Sequence, residues 1–237
     1  MKNTKFKLVF FDFDQTIINS GVGFSAAYKK MAEDFKLLLE NQDVKLDPEV
    51  ILKKILAKDK EFNKNKFYNR DLWWNPILNE FNVKQELNQD ELKRLTESYW
   101  NTVIENTEPY PDTFEILDYL KSKYKLALIS DTDGLKGMKK LRIQKSNIAH
   151  YFDYIIVPGD DTQAVKPDPE PFLQIVKMAK VNASKEECIM VGDKPFTDIK
   201  GAKNAGFTTV LILRTDWKVE PTPDYIIKEL LEIKKIL

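Results

Sequence analysis

Asp12 and Asp14 stand at the end of the apolar run "KLVFFDF", with Phe13 between them. An ionised carboxylate that leaves water loses hydration worth several kcal/mol unless it is paired or binds a metal, so a buried strand ending in two of them calls for a nearby cation. The same kinds of residue recur after other apolar runs. Ser130 and Asp131 follow "KLALI", Lys166 lies in "AVKPDPEPF", Asp193 follows "CIMVG", and Asp198 lies in "TDIKGAKNAG". Singly, each has a plainer reading: Ser130 or Asp131 as a helix cap, Lys166 as a surface lysine before a turn, Asp193 as part of a Gly-Asp turn.

The elements that must position these residues are legible from periodicity. Short β-rich runs occur at "KLVFFDF", "YKLALIS", "FDYIIVPG", "ECIMVGD" and "TTVLILR", and their nearly continuous apolar character predicts strands buried on both faces. Helical patterns lie between them: Phe114, Leu117 and Leu120 after Pro111, and Phe172, Ile175, Val176 and Ala179 after Pro171. That alternation predicts an α/β fold, a Rossmann-like three-layer core with a parallel sheet, in which ligands bind at the carboxyl ends of the strands.

Residues 21–107 break the rhythm with helices alone. Phe24, Tyr28, Met31, Phe35 and Leu38 keep one helical face apolar, Asp47-Pro48 starts a second helix, and Asn88 with Glu91 forms a capping-box pattern before Leu92, Leu95, Tyr99 and Val103. The expected organisation is therefore an α/β core from residues 1–20 and 108–237, with an α-helical cap domain from 21–107 inserted after the first strand. The insertion leaves near "QTIINS" and returns near "ENTEPYPD", which predicts a lid over the strand ends. Trp73 and Trp74, with Arg70 before them, read first as cap core and second as a specificity surface.

Composition narrows the partners. Lys+Arg and Asp+Glu are both 37, so no basic excess attracts nucleic acid or an anionic membrane. Only Arg70, Arg94, Arg142 and Arg214 are arginines, and most lysines read as solvated faces. The single Cys188 and single His150 argue against an internal disulfide or a Cys/His metal cluster, which fits a cytoplasmic protein. Lys2, Lys5 and Lys7 precede an apolar run that Asp12 interrupts, and the pattern is not that of a signal peptide. No apolar stretch is long enough for a membrane span. Nothing in the chain sets an oligomeric state.

Taken together and in order, "DFDQT", "ISDTD", "KPDPEPF" and "VGDKPFTDIKGAKNAG" resemble the four motifs of the haloacid dehalogenase-like hydrolase superfamily, over residues 6–18 and 108–237. The helical insertion resembles that superfamily's first type of cap. The resemblance implies that Asp12 is the nucleophile, forming an aspartyl phosphate, and that Asp14 is the acid/base. Ser130, Asp131 (through its backbone amide) and Lys166 would bind the substrate phosphate. Like charges about 4 Å apart repel by on the order of 4 kcal/mol at an effective dielectric of about 20, so a carboxylate meeting phosphate needs a cation between them. The implied cofactor is Mg²⁺, with Asp12, the Asp14 backbone carbonyl and Asp193 as ligands, and with Asp198 either ligating it or orienting Lys166.

A carboxylate at position 14 favours phosphate-ester chemistry over dehalogenation. The expectation is a phosphatase acting on a small phosphorylated metabolite, similar to the phosphoglycolate phosphatase branch. A sugar phosphomutase is the enzymatic alternative, and a phosphoryl-accepting signalling module the non-enzymatic one. Two departures stand out. Gln15 replaces the usual Gly, either as a tolerated loop residue or reaching substrate or cap. Asp131 replaces a frequent Asn, adding a carboxylate that must point away from phosphate or bind a group in the cap.

Overall fold

A computed structural model describes residues 6–83, 86–179 and 184–237. Lys2 and Lys5, used in reading the N-terminus, lie outside the described residues. The chain divides into an α/β unit (residues 1–19, 108–132 and 136–237) and a helical unit (20–107 and 133–135).

The α/β unit is built on β1 (Leu8–Phe11), β4 (Lys125–Ile129), β5 (Tyr154–Ile156), β6 (Cys188–Gly192), β7 (Thr208–Ile212) and β8 (Tyr225–Ile227), in the order β5-β4-β1-β6-β7-β8. Every pairing is parallel. A two-stranded ribbon, β2 (Ile18–Asn19) with β3 (Glu108–Pro109), is antiparallel. Period-2 alternation divides β1 between two layers. Val9 and Phe11 pack with Ile116, Leu117 and Leu120 of α5 (Thr113–Lys121) and Ile143 of α6 (Met138–Lys145). Leu8 and Phe10 pack with Phe172 and Ile175 of α7 (Glu170–Ala179) and Ala202 of α8 (Lys200–Ala205). A strand covered on both sides has no polar face, which is why these runs read as continuously apolar.

Winding reverses at β1: the chain places β4 and β5 on one side and β6, β7 and β8 on the other. Such a switch point leaves a crevice at the carboxyl ends of the strands. Phe11 registers with Leu128 and with Val191, so β1, β4 and β6 end nearly level, and Asp12, Ser130 and Asp193 emerge together. The strand at Tyr225–Ile227 was not among the expected ones; its apolar run is three residues long, and only Ile227 is buried at this sheet edge. Leu117 and Leu120 lie on the core face of α5 as expected, but Phe114 is 39% exposed, and Thr113 and Ile116 complete that face in its place.

The helical unit contains α1 (Ser20–Glu40), α2 (Pro48–Lys64), α3 (Trp74–Asn79) and α4 (Gln89–Glu105). The buried stripe of α1 runs through Ala27, Met31, Phe35 and Leu39, with Phe24, Tyr28 and Leu38 at its half-buried margin. Gly23 lets α1 approach α4, since a β-carbon there would lie 2.6 Å from the Val103 carbonyl oxygen. Asp47 caps α2 by accepting from Glu49 N at 2.7 Å, and Asn88 and Glu91 form both bonds of the expected capping box. Trp73 and Trp74 are each 1% exposed and belong to the core: Trp73 packs on Phe62, Trp74 on Phe35, and their indole N–H groups donate to Phe67 O and Thr96 Oγ1. Arg70 is buried with them, its guanidinium 3.6 Å from the Trp73 ring centre. The unit carries a cavity of about 230 Å³ lined by Phe24, Tyr28, Leu52 and Leu56 among others. Among the described residues, no helix is long and apolar enough to cross a membrane.

Candidate active site

Asp12 continues β1 and is fixed there by its backbone N–H, which donates to Val191 O at 3.0 Å. Its side chain is buried, and Lys166 Nζ lies 2.7 Å from Asp12 Oδ1. The same ammonium donates to Asp198 Oδ1 at 2.7 Å and to Ile129 O at 3.3 Å, so one lysine ties the ends of β1 and β4 to the segment before α8. Burial opposes the charge on Lys166, but Asp12, Asp198 and Asp131 together hold it well above the ordinary lysine range. Burial pushes Asp12 up against the pull of Lys166.

Asp12, Asp193 and Asp198 each offer an oxygen, and these atoms all lie within 4.8 Å of one another. The cluster is presented by a tight turn. Gly192 precedes Asp193 because a β-carbon there would sit 2.5 Å from Asp198 Cβ, and the π-helical turn Pro195–Ile199 brings Asp198 back under the strand end. Both Asp198 oxygens already have protein donors, Lys166 Nζ on Oδ1 and Lys194 N at 2.9 Å on Oδ2. Asp193 differs. Its Oδ2 accepts from Thr215 Oγ1 at 2.8 Å, while Oδ1 is buried with no hydrogen-bond partner among the described residues. Burial, reinforced by Asp198 and Asp12, pushes the Asp193 carboxyl up to about 7. An orphaned, buried carboxylate oxygen within this acidic cluster fits a divalent cation with oxygen ligands.

Asp14 is held differently from Asp12. Arg142 grips both of its oxygens, NH2 to Oδ1 at 2.5 Å and NH1 to Oδ2 at 3.3 Å, and Lys139 Nζ pairs with Oδ2. Against the cost of burial, these two cations hold the Asp14 carboxyl far below the usual carboxylate range. Both come from α6 and both lie beside the Phe13 ring. Sequence reasoning missed them. The available signal was an i, i+3 pair of basic residues on one helix in a chain with few arginines, which suits bidentate recognition of a carboxylate.

Ser130 is buried at the end of β4, its N–H donating to Ile156 O at 3.3 Å. Asp131 turns its carboxylate to the backbone of the next motif, with Oδ1 accepting from Lys166 N at 3.1 Å, and burial pushes its carboxyl up against the pull of Lys166. The extra charge at this position therefore orients the lysine loop. Gln15 adopts a positive φ of 59°, and its Oε1 accepts from Tyr110 OH at 2.7 Å. Lys194 and Thr215 were also missed. Although burial disfavours its charge, Lys194 is held above the ordinary range by Asp12, Asp193, Asp198 and Asp14. All the side chains assembled at this site belong to the α/β unit.

The model of the haloacid dehalogenase-like hydrolase family matches residues 9–212, from β1 to the end of β7. The chain belongs to this family. Among relatives of this haloacid dehalogenase-like hydrolase, glyceraldehyde 3-phosphate phosphatase of Pyrococcus furiosus is 26% identical over 98% of the chain and 93% of the relative. N-acylneuraminate-9-phosphatase of Homo sapiens is 27% identical over 99% and 94%. The crystal structure of a HAD phosphatase from Thermococcus onnurineus is 29% identical and superposes with a TM-score of 0.66, covering 97% of each chain.

Proposed function

We propose that this hydrolase is a Mg²⁺-dependent phosphatase that cleaves a small phosphomonoester through an aspartyl phosphate on Asp12. The observation that carries the reading is the arrangement of Lys166, which joins Asp12 to Asp198 at 2.7 Å each, beside an Asp193 oxygen that has no hydrogen-bond partner among the described residues. Relatives named as phosphatases of a phosphorylated triose and of a phosphorylated sugar acid, matched over nearly their whole length, support a small phosphorylated substrate.

Asp12, Asp193 and the Asp14 carbonyl would hold the metal, with Asp198 holding Lys166. Held by these residues, a divalent ion would offset the repulsion between carboxylate and phosphate and would polarise the phosphoryl oxygens. A carboxylate oxygen of Asp12 attacks phosphorus, and the bond from phosphorus to the ester oxygen breaks. Lys166 and the Ser130 hydroxyl stabilise charge on the nonbridging oxygens, and Lys194 adds a second ammonium beside the same acidic cluster. The departing alkoxide takes a proton from Asp14. Water then returns a proton to Asp14 while its oxygen attacks phosphorus, releasing phosphate and restoring Asp12.

The acid role requires a protonated Asp14, and the pair with Arg142 and Lys139 disfavours that form. We therefore read the clamp as a resting position that the side chain leaves when substrate arrives. Leaving this pair costs free energy that phosphate binding must offset.

The test is hydrolysis of a phosphometabolite panel, including phosphoglycolate, triose phosphates and sugar phosphates, with Mg²⁺ or with a chelator. Release of phosphate from small monoesters only with Mg²⁺, and its loss in Asp12→Asn, is the expected result. Undiminished turnover in chelator or in Asp12→Asn would overturn the reading.

A further inference from the structure

The residue at position 15 takes a backbone conformation that L side chains rarely adopt, and glycine would adopt it without strain. Glutamine is nonetheless present, and its side chain has a defined partner. Gln15 Oε1 accepts from Tyr110 OH at 2.7 Å, and Gln15 N–H donates to Ile18 O at 2.8 Å, closing the turn after β1. Tyr110 is itself anchored. Its backbone N–H donates to Ile17 O at 3.1 Å, and the Arg214 guanidinium lies 3.9 Å from its ring centre. Arg214 is locked in turn by Asp112, with NH2 at 2.9 Å from Oδ1 and 3.2 Å from Oδ2, and Asp112 also accepts from Leu230 N at 2.6 Å. The next residue, Thr215, holds Asp193 Oδ2 at 2.8 Å.

We infer that Gln15, Tyr110 and Arg214 are positioning residues that brace the loop after β1 against the loop after β7, and that this brace sets the affinity of the site for its divalent cation. The inference rests on the metal reading above. The peptide joining Asp14 to Gln15 carries the carbonyl assigned to the ion, and both the turn bond and the tyrosine bond fix that peptide. At the far end, Arg214 fixes the residue that orients Asp193. The ligand-bearing loop after β1 and the loop after β7, whose Thr215 holds the ligand Asp193, are thus joined by one chain of contacts within the α/β unit. The strain at Gln15 persists because its surroundings over-determine it, the backbone bond to Ile18 O and the side-chain bond to Tyr110 OH together.

Two substitutions at the same position separate the effects. Gln15→Gly removes the bond to Tyr110 and relieves the strain, whereas Gln15→Ala removes the bond and keeps the strain. Calorimetric titration with Mg²⁺ should show both variants binding about five- to tenfold more weakly than wild type. Their melting temperatures should diverge, with Gly at or above wild type and Ala below it. Tyr110→Phe should weaken Mg²⁺ to the same extent, and Gln15→Gly combined with Tyr110→Phe should weaken it no further than either alone. Wild-type affinity in Gln15→Gly, or affinities that simply follow melting temperature, would overturn the brace while leaving the metal reading intact. A wild-type protein that binds no Mg²⁺ would overturn the metal reading, and the brace with it.

Discussion

Two carboxylates in this site, the half-buried Asp14 and the buried Asp193, have opposite electrostatic surroundings, and each gives a test. Asp14 is held low by Arg142 and Lys139, so its pair stabilises the fold above the unfolded pKa of about 4, and that contribution is lost as pH falls toward the folded value. Arg142→Gln is expected to cost about 1–3 kcal/mol at pH 7 by urea unfolding, since Lys139 still pairs with Asp14. The gap to wild type should shrink at pH 3, and a gap independent of pH would show that Arg142 acts by packing alone. Asp193 is the reverse case, pushed up to about 7 by burial and by its acidic neighbours. Its contribution is fully present below the unfolded value of about 4 and is lost as pH rises through about 7. A divalent ion that binds the ionised form restores that loss. The rise in melting temperature on adding Mg²⁺ should therefore be larger at pH 8 than at pH 5.5, and an equal or smaller rise at pH 8 would contradict the assignment of Asp193 as a ligand.

At the scale of elements, the site depends on how sharply β6 hands over to the turn before α8. Gly192→Ala places a methyl group 2.5 Å from Asp198 Cβ, which is expected to destabilise the fold by about 1–3 kcal/mol and to lower turnover by displacing Lys166. Asn88→Ala in the helical unit is the control. Loss of the capping box should cost about 1 kcal/mol and leave turnover on a small ester unchanged. The five main strands, the capped helices and the order of Asp12, Ser130, Lys166, Asp193 and Asp198 were legible because each depends on local periodicity or on a motif read along the chain. The clamp on Asp14 was not, since it depends on which way α6 turns Lys139 and Arg142 over Phe13. The partner of Gln15 was hidden for a similar reason: Tyr110 lies 95 residues away. The edge strand Tyr225–Ile227 is too short and too exposed to carry a pattern.

For the whole molecule, the even balance of 37 basic and 37 acidic residues conceals a steep local imbalance. Asp12, Asp131, Asp193 and Asp198 converge around Lys166 and Lys194, leaving an acidic surplus that a divalent ion can neutralise. The family match covers the α/β unit's motifs, and the helical unit has a core and a cavity of its own. On the proposed reading, this convergence makes Asp12 a phosphoryl acceptor. The most direct measurement is acid quench within the first turnover of a ³²P-labelled phosphomonoester with Mg²⁺ present, followed by peptide mapping. The label should sit on Asp12, and none should appear on the protein in Asp12→Asn. Phosphate release with no label on the protein, or with label on another residue, would contradict the account.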